Sequence, residues 1–85
     1  MANKTVEIDN MEFSPAEISI RVGDTVTWTN QDAVGHSACR DKPPTFDTGL
    51  MAKGDTSEPI QFHVQGSFDY FCRQHHLMTA KVVVT

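Results

Sequence analysis

Apolar and polar residues alternate along most of this chain. Val6 and Ile8 fall on one side of residues 4–10, and Ile18, Ile20 and Val22 on one side of residues 17–22. Val26 and Trp28 share a side of residues 25–30, with threonines opposite them. Ile60, Phe62 and Val64 repeat the pattern over residues 57–64, and Phe68, Tyr70 and Cys72 over residues 67–72. A period of two means a half-buried strand, and a valine-rich final run at 79–85 completes the set. Turn signals separate the segments: Ser14-Pro15, Gly23-Asp24, Asn30-Gln31-Asp32, Lys53-Gly54-Asp55 and Gln65-Gly66. Residues 36–39 read as a short strand and Gly49-Leu50-Met51 as a short extended piece. Pro43-Pro44 marks residues 40–47 as a loop, because proline lacks the N–H that a strand or helix needs. No stretch has a helical period. The pattern predicts an all-β sandwich or barrel of about seven or eight strands.

Eighty-five residues bound the chain to one domain, 1–85, with a modest core that gains from a metal or a crosslink. The formal charge of −4 argues against nucleic acid and against attraction to anionic lipid. No apolar run nears the ~20 residues of a membrane helix. Met1-Ala2-Asn3-Lys4 leads straight into a strand, with no signal peptide. This beginning suits a trimmed mature form, a domain of a longer protein or a cytoplasmic protein.

The chemistry concentrates near the C-terminus, in Cys72-Arg73-Gln74-His75-His76-Leu77-Met78. Thiolate, imidazole and thioether, each three residues apart, are ligands of a blue-copper centre, which takes a second imidazole. Singly, each has a plainer explanation: a packed thiol, a loop histidine, a core methionine. Together, in a tight loop between two strands, they can fold around one point. Of the other histidines, His63 lies between core-facing Phe62 and Val64 and should face solvent, and His76 diverges from its neighbour His75. His36, just after a turn, can reach the same end of the sandwich and is the expected second imidazole. Cys39 lies three residues beyond His36 and points to the opposite face, as a packed thiol. A Cys39–Cys72 disulfide carries little weight, because the ligand pattern needs a free thiolate.

Trp28-Thr29-Asn30-Gln31-Asp32 followed by His36, then Gly66-Ser67-Phe68-Asp69-Tyr70-Phe71-Cys72, His75, Met78 and Lys81-Val82-Val83-Val84, closely resembles the cupredoxin family. The short Cys-x-x-His-x-x-Met spacing is similar to its amicyanin-like members. The resemblance covers nearly the whole chain. It implies a Greek-key β-sandwich with one type 1 copper, His36, Cys72 and His75 in the trigonal plane and Met78 as axial ligand. It also implies that the Ser37 N–H donates to the Cys72 sulfur, and that the chain is an extracytoplasmic, periplasmic one-electron carrier rather than an enzyme. Two positions depart from the family's plastocyanin- and amicyanin-like forms. Gly35 stands where plastocyanin-like members usually have proline; azurin-like members have glycine there, with its carbonyl approaching the copper, and His76 stands where amicyanin-like loops often have proline.

On this basis the protein acts as a monomer and docks redox partners at a weakly polar patch around His75. Ala33, Val34, Gly35 and Leu77 contribute to that patch, with Met51 and Pro43 beside them. Asp55 and Glu58 are candidates for steering a basic partner, and Asn30 or Asp32 for bracing the His36 loop. Copper tolerance or delivery on the same fold is the alternative, supported by spare ligands at His76, Met51 and Cys39. A structural zinc site would have one cysteine and a poor thioether ligand. A copper oxidase or reductase would need more histidines than the two left over.

Overall fold

Alternation becomes burial in the computed structural model, which describes residues 1–85. The strands are β1 (Asn3–Asp9), β2 (Glu12–Ser14), β3 (Glu17–Ile20), β4 (Thr25–Asn30), β5 (Cys39–Arg40), β6 (Phe46–Asp47), β7 (Ile60–Gln61), β8 (Gly66–Phe71) and β9 (Thr79–Val84). One sheet has the order β2-β1-β4-β7 and the other β3-β9-β8-β5-β6. β1 runs parallel to β4 and β3 parallel to β9, while every other pairing is antiparallel. No helix is long and apolar enough to cross a membrane.

The two inner faces supply the core. Val6, Ile8, Phe13, Val26 and Trp28 come from the first sheet, and Ile18, Ile20, Phe68, Tyr70, Ala80, Val82 and Val84 from the second. Trp28 is fully buried and meets Phe46 stacked at 5.4 Å and Tyr70 edge-on at 5.4 Å. Such pairs add about 0.5–1.5 kcal/mol beyond burial of their area.

Nine strands replace the expected seven or eight, because the Pro43-Pro44 segment bends back as a hairpin. Cys39 pairs with Asp47, and Phe46 turns inward against Trp28. The prolines sit at the bend, where no ladder N–H is required. Two segments are shorter than their alternation suggests. Val22 lies beyond the end of β3 and is 46% exposed, and Val64 lies beyond β7 and is 57% exposed. At both places the chain has left the sheet for a turn, so its period no longer selects a face.

The turn joining β1 to β2 bears on the site. Asn10 and Met11 both have positive φ, 54° and 61°. A two-residue hairpin loop with that geometry matches the twist of its strands but suits Asn and Gly better than Met. Both backbone N–H groups donate to the Asp32 carboxylate, at 3.3 and 2.9 Å.

Candidate metal centre

Cys72 continues the inward face of β8 one residue past the strand's end, fully buried. The loop after it closes on itself. His75 N–H donates to Cys72 O at 3.2 Å, Met78 N–H to His75 O at 2.9 Å, and Cys72 N–H to Met78 O at 3.0 Å. The first two bonds close consecutive four-residue turns, Cys72–His75 and His75–Met78. The three-residue spacing of Cys72, His75 and Met78 is therefore the spacing of the turns that fold them together.

His36 arrives from the connection between β4 and β5, which crosses from one sheet to the other. It pairs with Met51 in an isolated bridge, His36 N–H to Met51 O at 3.2 Å and Met51 N–H to His36 O at 2.8 Å. Asn30, wholly buried at the end of β4, clamps the loop by donating from its side-chain amide to Val34 O and Met51 O, both at 2.9 Å. The segment expected as a strand from His36 begins only at Cys39, since His36 needs that bridge instead.

His36, Cys72 and His75 converge, with one donor atom from each lying within 4.8 Å of the others. Cys72 Sγ is 3.6 Å from His36 Nδ1 and 3.7 Å from His75 Nδ1. Metal–imidazole bonds of about 2.0 Å and a metal–thiolate bond of about 2.3 Å, opened to ~120°, put nitrogen and sulfur roughly 3.7 Å apart. The cluster therefore has the dimensions of a trigonal site for one first-row ion. Two imidazoles and one thiolate, with a buried methionine closing the same loop, suit copper better than zinc or calcium.

The other imidazole nitrogen of His36 meets Asp32 Oδ2 at 2.8 Å, inside a fully buried ring environment. A carboxylate there holds Nε2 protonated, leaves Nδ1 bare toward Cys72, and makes it a better donor. Hydrogen bonds from the Met11 N–H and then from His36 hold the Asp32 carboxyl below its ordinary pKa.

Several residues sort differently. His63 is exposed, and His76 packs edge-on against Phe71 at 5.3 Å, away from the donor cluster. Cys39 and Cys72 are both free thiols. The Cys39 thiol donates to Phe71 O at 3.4 Å, and burial pushes its pKa up to about 11. Met51, expected at the surface patch, is only 3% exposed, because the bridge to His36 turns it inward. Met11, not expected near the site, joins His75, His76, Leu77 and Met78 around a surface cleft of about 450 Å³. Arg73 was not expected to tie the ligand loop to the β5–β6 hairpin, yet it reaches Asp41 at 2.8 Å and Asp47 at 3.3 Å. No pattern in the sequence marked that network, since its carboxylates are scattered surface residues.

A two-sheet β-sandwich with two imidazoles and a thiolate clustered at one end, backed by a buried methionine, defines a small protein with a single type 1 copper site. The chain belongs to the family of copper binding proteins described as the plastocyanin/azurin family, which matches residues 1–85. It is 34% identical over 82 residues to amicyanin-alpha of Methylorubrum extorquens, covering 93% of this chain and 69% of that protein. It is 35% identical over 83 residues to amicyanin of Paracoccus versutus, spanning 62% of that protein's length. The crystal structure of the Paracoccus versutus protein superposes with a TM-score of 0.87 at 33% identity, covering 95% of this chain and 79% of that one.

Proposed function

We propose that this chain is a one-electron carrier whose copper is held by His36 Nδ1, Cys72 Sγ and His75 Nδ1, with the Met78 thioether as weak axial ligand. The observation that carries the reading is the pair of sulfur–nitrogen separations, 3.6 and 3.7 Å, in a buried cluster. Copper bound there alternates between Cu(I) and Cu(II) and so stores and releases one electron.

The protein's own part is to keep the donors still. The turns of the 72–78 loop, the His36–Met51 bridge and the Asn30 clamp fix the ligands from three directions. A donor set held in this way needs little rearrangement when charge changes. His75 is half-buried, and its outer edge borders the cleft with Met11 and Leu77, the latter 99% exposed. Val34 and Leu50 are also exposed apolar residues. Redox partners dock over His75, where a small apolar patch suits brief encounters burying under ~1,200 Å². The unit is residues 1–85, acting as a monomer, outside the cytoplasm, with no substrate turned over.

Adding Cu(II) to the metal-free protein tests the proposal. One equivalent is expected to produce an intense visible thiolate-to-copper absorption and the small copper hyperfine splitting of a type 1 EPR spectrum. Cys72→Ser is expected to lose both. A wild-type protein that binds copper without the intense band overturns the ligand assignment, and more than one tight copper per chain turns the reading toward copper tolerance or delivery.

A further inference from the structure

The donors of the metal centre are not equally reachable. His36 and Cys72 are fully buried and Met78 is 7% exposed, whereas His75 is half-buried. An ion arriving from solvent therefore meets His75 first. Beside His75 lies the surface cleft of about 450 Å³, lined by Met11, His75, His76, Leu77 and Met78. All of these side chains except Leu77 carry a thioether or an imidazole, donors that suit Cu(I) and not the hard cations calcium and magnesium.

Met11 and His76 belong neither to the trigonal cluster nor to its axial contact. His76 is exposed, with its ring set edge-on against Phe71 at 5.3 Å. Met11 is 42% exposed at the turn between β1 and β2, where its φ is 61°. That left-handed backbone is costly for a residue with a Cβ, and so open a side chain recovers little of the cost by packing. The Asp32 carboxylate keeps Met11 in place by accepting its N–H at 2.9 Å. Strain of this kind clusters at functional positions.

We propose that Met11 and His76 form an entry site for Cu(I), a weak soft-donor pair that captures the ion in the cleft and hands it to His75 and the buried cluster. The inference rests on the copper reading above. The hand-over is a ligand exchange with no change of oxidation state. Bonds to the Met11 sulfur and a His76 nitrogen break as bonds to His75, His36 and Cys72 form, and the Cys72 thiol proton leaves to solvent. Two surface donors bind far more weakly than a converging buried set, so the pair releases its ion and one tight copper per chain remains. Met11 and His76 thus set the rate of loading and leave the final affinity alone.

Stopped-flow mixing of the metal-free protein with a coloured Cu(I) chelate tests this in wild type, Met11→Leu and His76→Gln. Met11→Leu keeps the bulk and removes the sulfur, and His76→Gln keeps a polar side chain and removes the imidazole. Each is expected to slow copper uptake by about tenfold, equivalent to ~1.4 kcal/mol of binding lost in the entry state. Final Cu(I) affinity, and the type 1 spectrum after oxidation, should match wild type. In wild type already holding one Cu(I), further Cu(I) without oxygen should shift the NMR signals of the Met11 methyl and the His76 ring, and the His76 shift should shrink in Met11→Leu. If both variants load at the wild-type rate and added Cu(I) moves neither signal, the entry site is refuted while the copper site stands. If wild type itself lacks the type 1 spectrum, the copper reading has failed instead.

Discussion

Asp32 joins two jobs at the scale of a single residue. One carboxylate accepts from the Asn10 and Met11 backbone at the positive-φ turn and also meets His36 Nε2. The turn is thereby held in a geometry that methionine rarely adopts, and the imidazole is held in one tautomer. Removing a carboxylate partner from a metal-ligating histidine typically costs 10–100-fold in affinity. Asp32→Ala should therefore weaken copper binding by about that factor in a competitive chelator titration, while His76→Ala changes it little. Asp32 was legible in the sequence only by its place four residues before His36. That spacing showed it could reach the loop, but it did not single out Asp32 over Asn30. In the fold both act, Asp32 on the ring and Asn30 on the backbone.

At the scale of elements, the strands hold together partly through carboxylates at their ends. Asp24, in the turn between β3 and β4, accepts from the Arg21 N–H at 3.0 Å and the Ala2 N–H at 2.9 Å, which ties the start of β1 to that turn. The Arg21 bond, followed by the Ala2 bond, is the largest of the effects that hold its pKa below the ordinary value. Folding depresses this pKa, so its stabilisation is complete above the unfolded value near 3.9 and fades as pH falls through the lower folded value. Asp24→Asn should be less stable than wild type at pH 7, with the gap narrowing as pH falls below the unfolded value; urea unfolding across that range measures it. The elements themselves were mostly legible. Val6, Ile8, Ile18, Ile20, Val26, Trp28, Phe68 and Tyr70 are buried where alternation put them. Phe46 was not, because adjacent prolines signal a loop without saying what the residue beyond them will face.

For the whole molecule, a small domain carries a metal site that spans both halves of the sandwich. His36 hangs between β4 and β5, while Cys72, His75 and Met78 follow β8. One ion there crosslinks segments 36 residues apart. Copper at a hundredfold excess over its Kd stabilises the folded state by about 2.7 kcal/mol. For a domain of this size that should raise Tm by roughly 10–20 °C. Calorimetry of the metal-free and loaded protein checks this, and Cys72→Ser should lose most of the gain.

The amino-acid order alone determined the strand alternation, the turns between strands and the three-residue rhythm of Cys72, His75 and Met78. All of these are local, because side-chain direction and turn closure depend on neighbours within a few residues. Only the tertiary structure decided that His36 reaches the sulfur, that Asp32 ties the His36 ring to the turn between β1 and β2, and that Arg73 links the ligand loop to a hairpin. Those contacts join residues from separate strands and loops, and their geometry exists only once the two sheets have packed face to face.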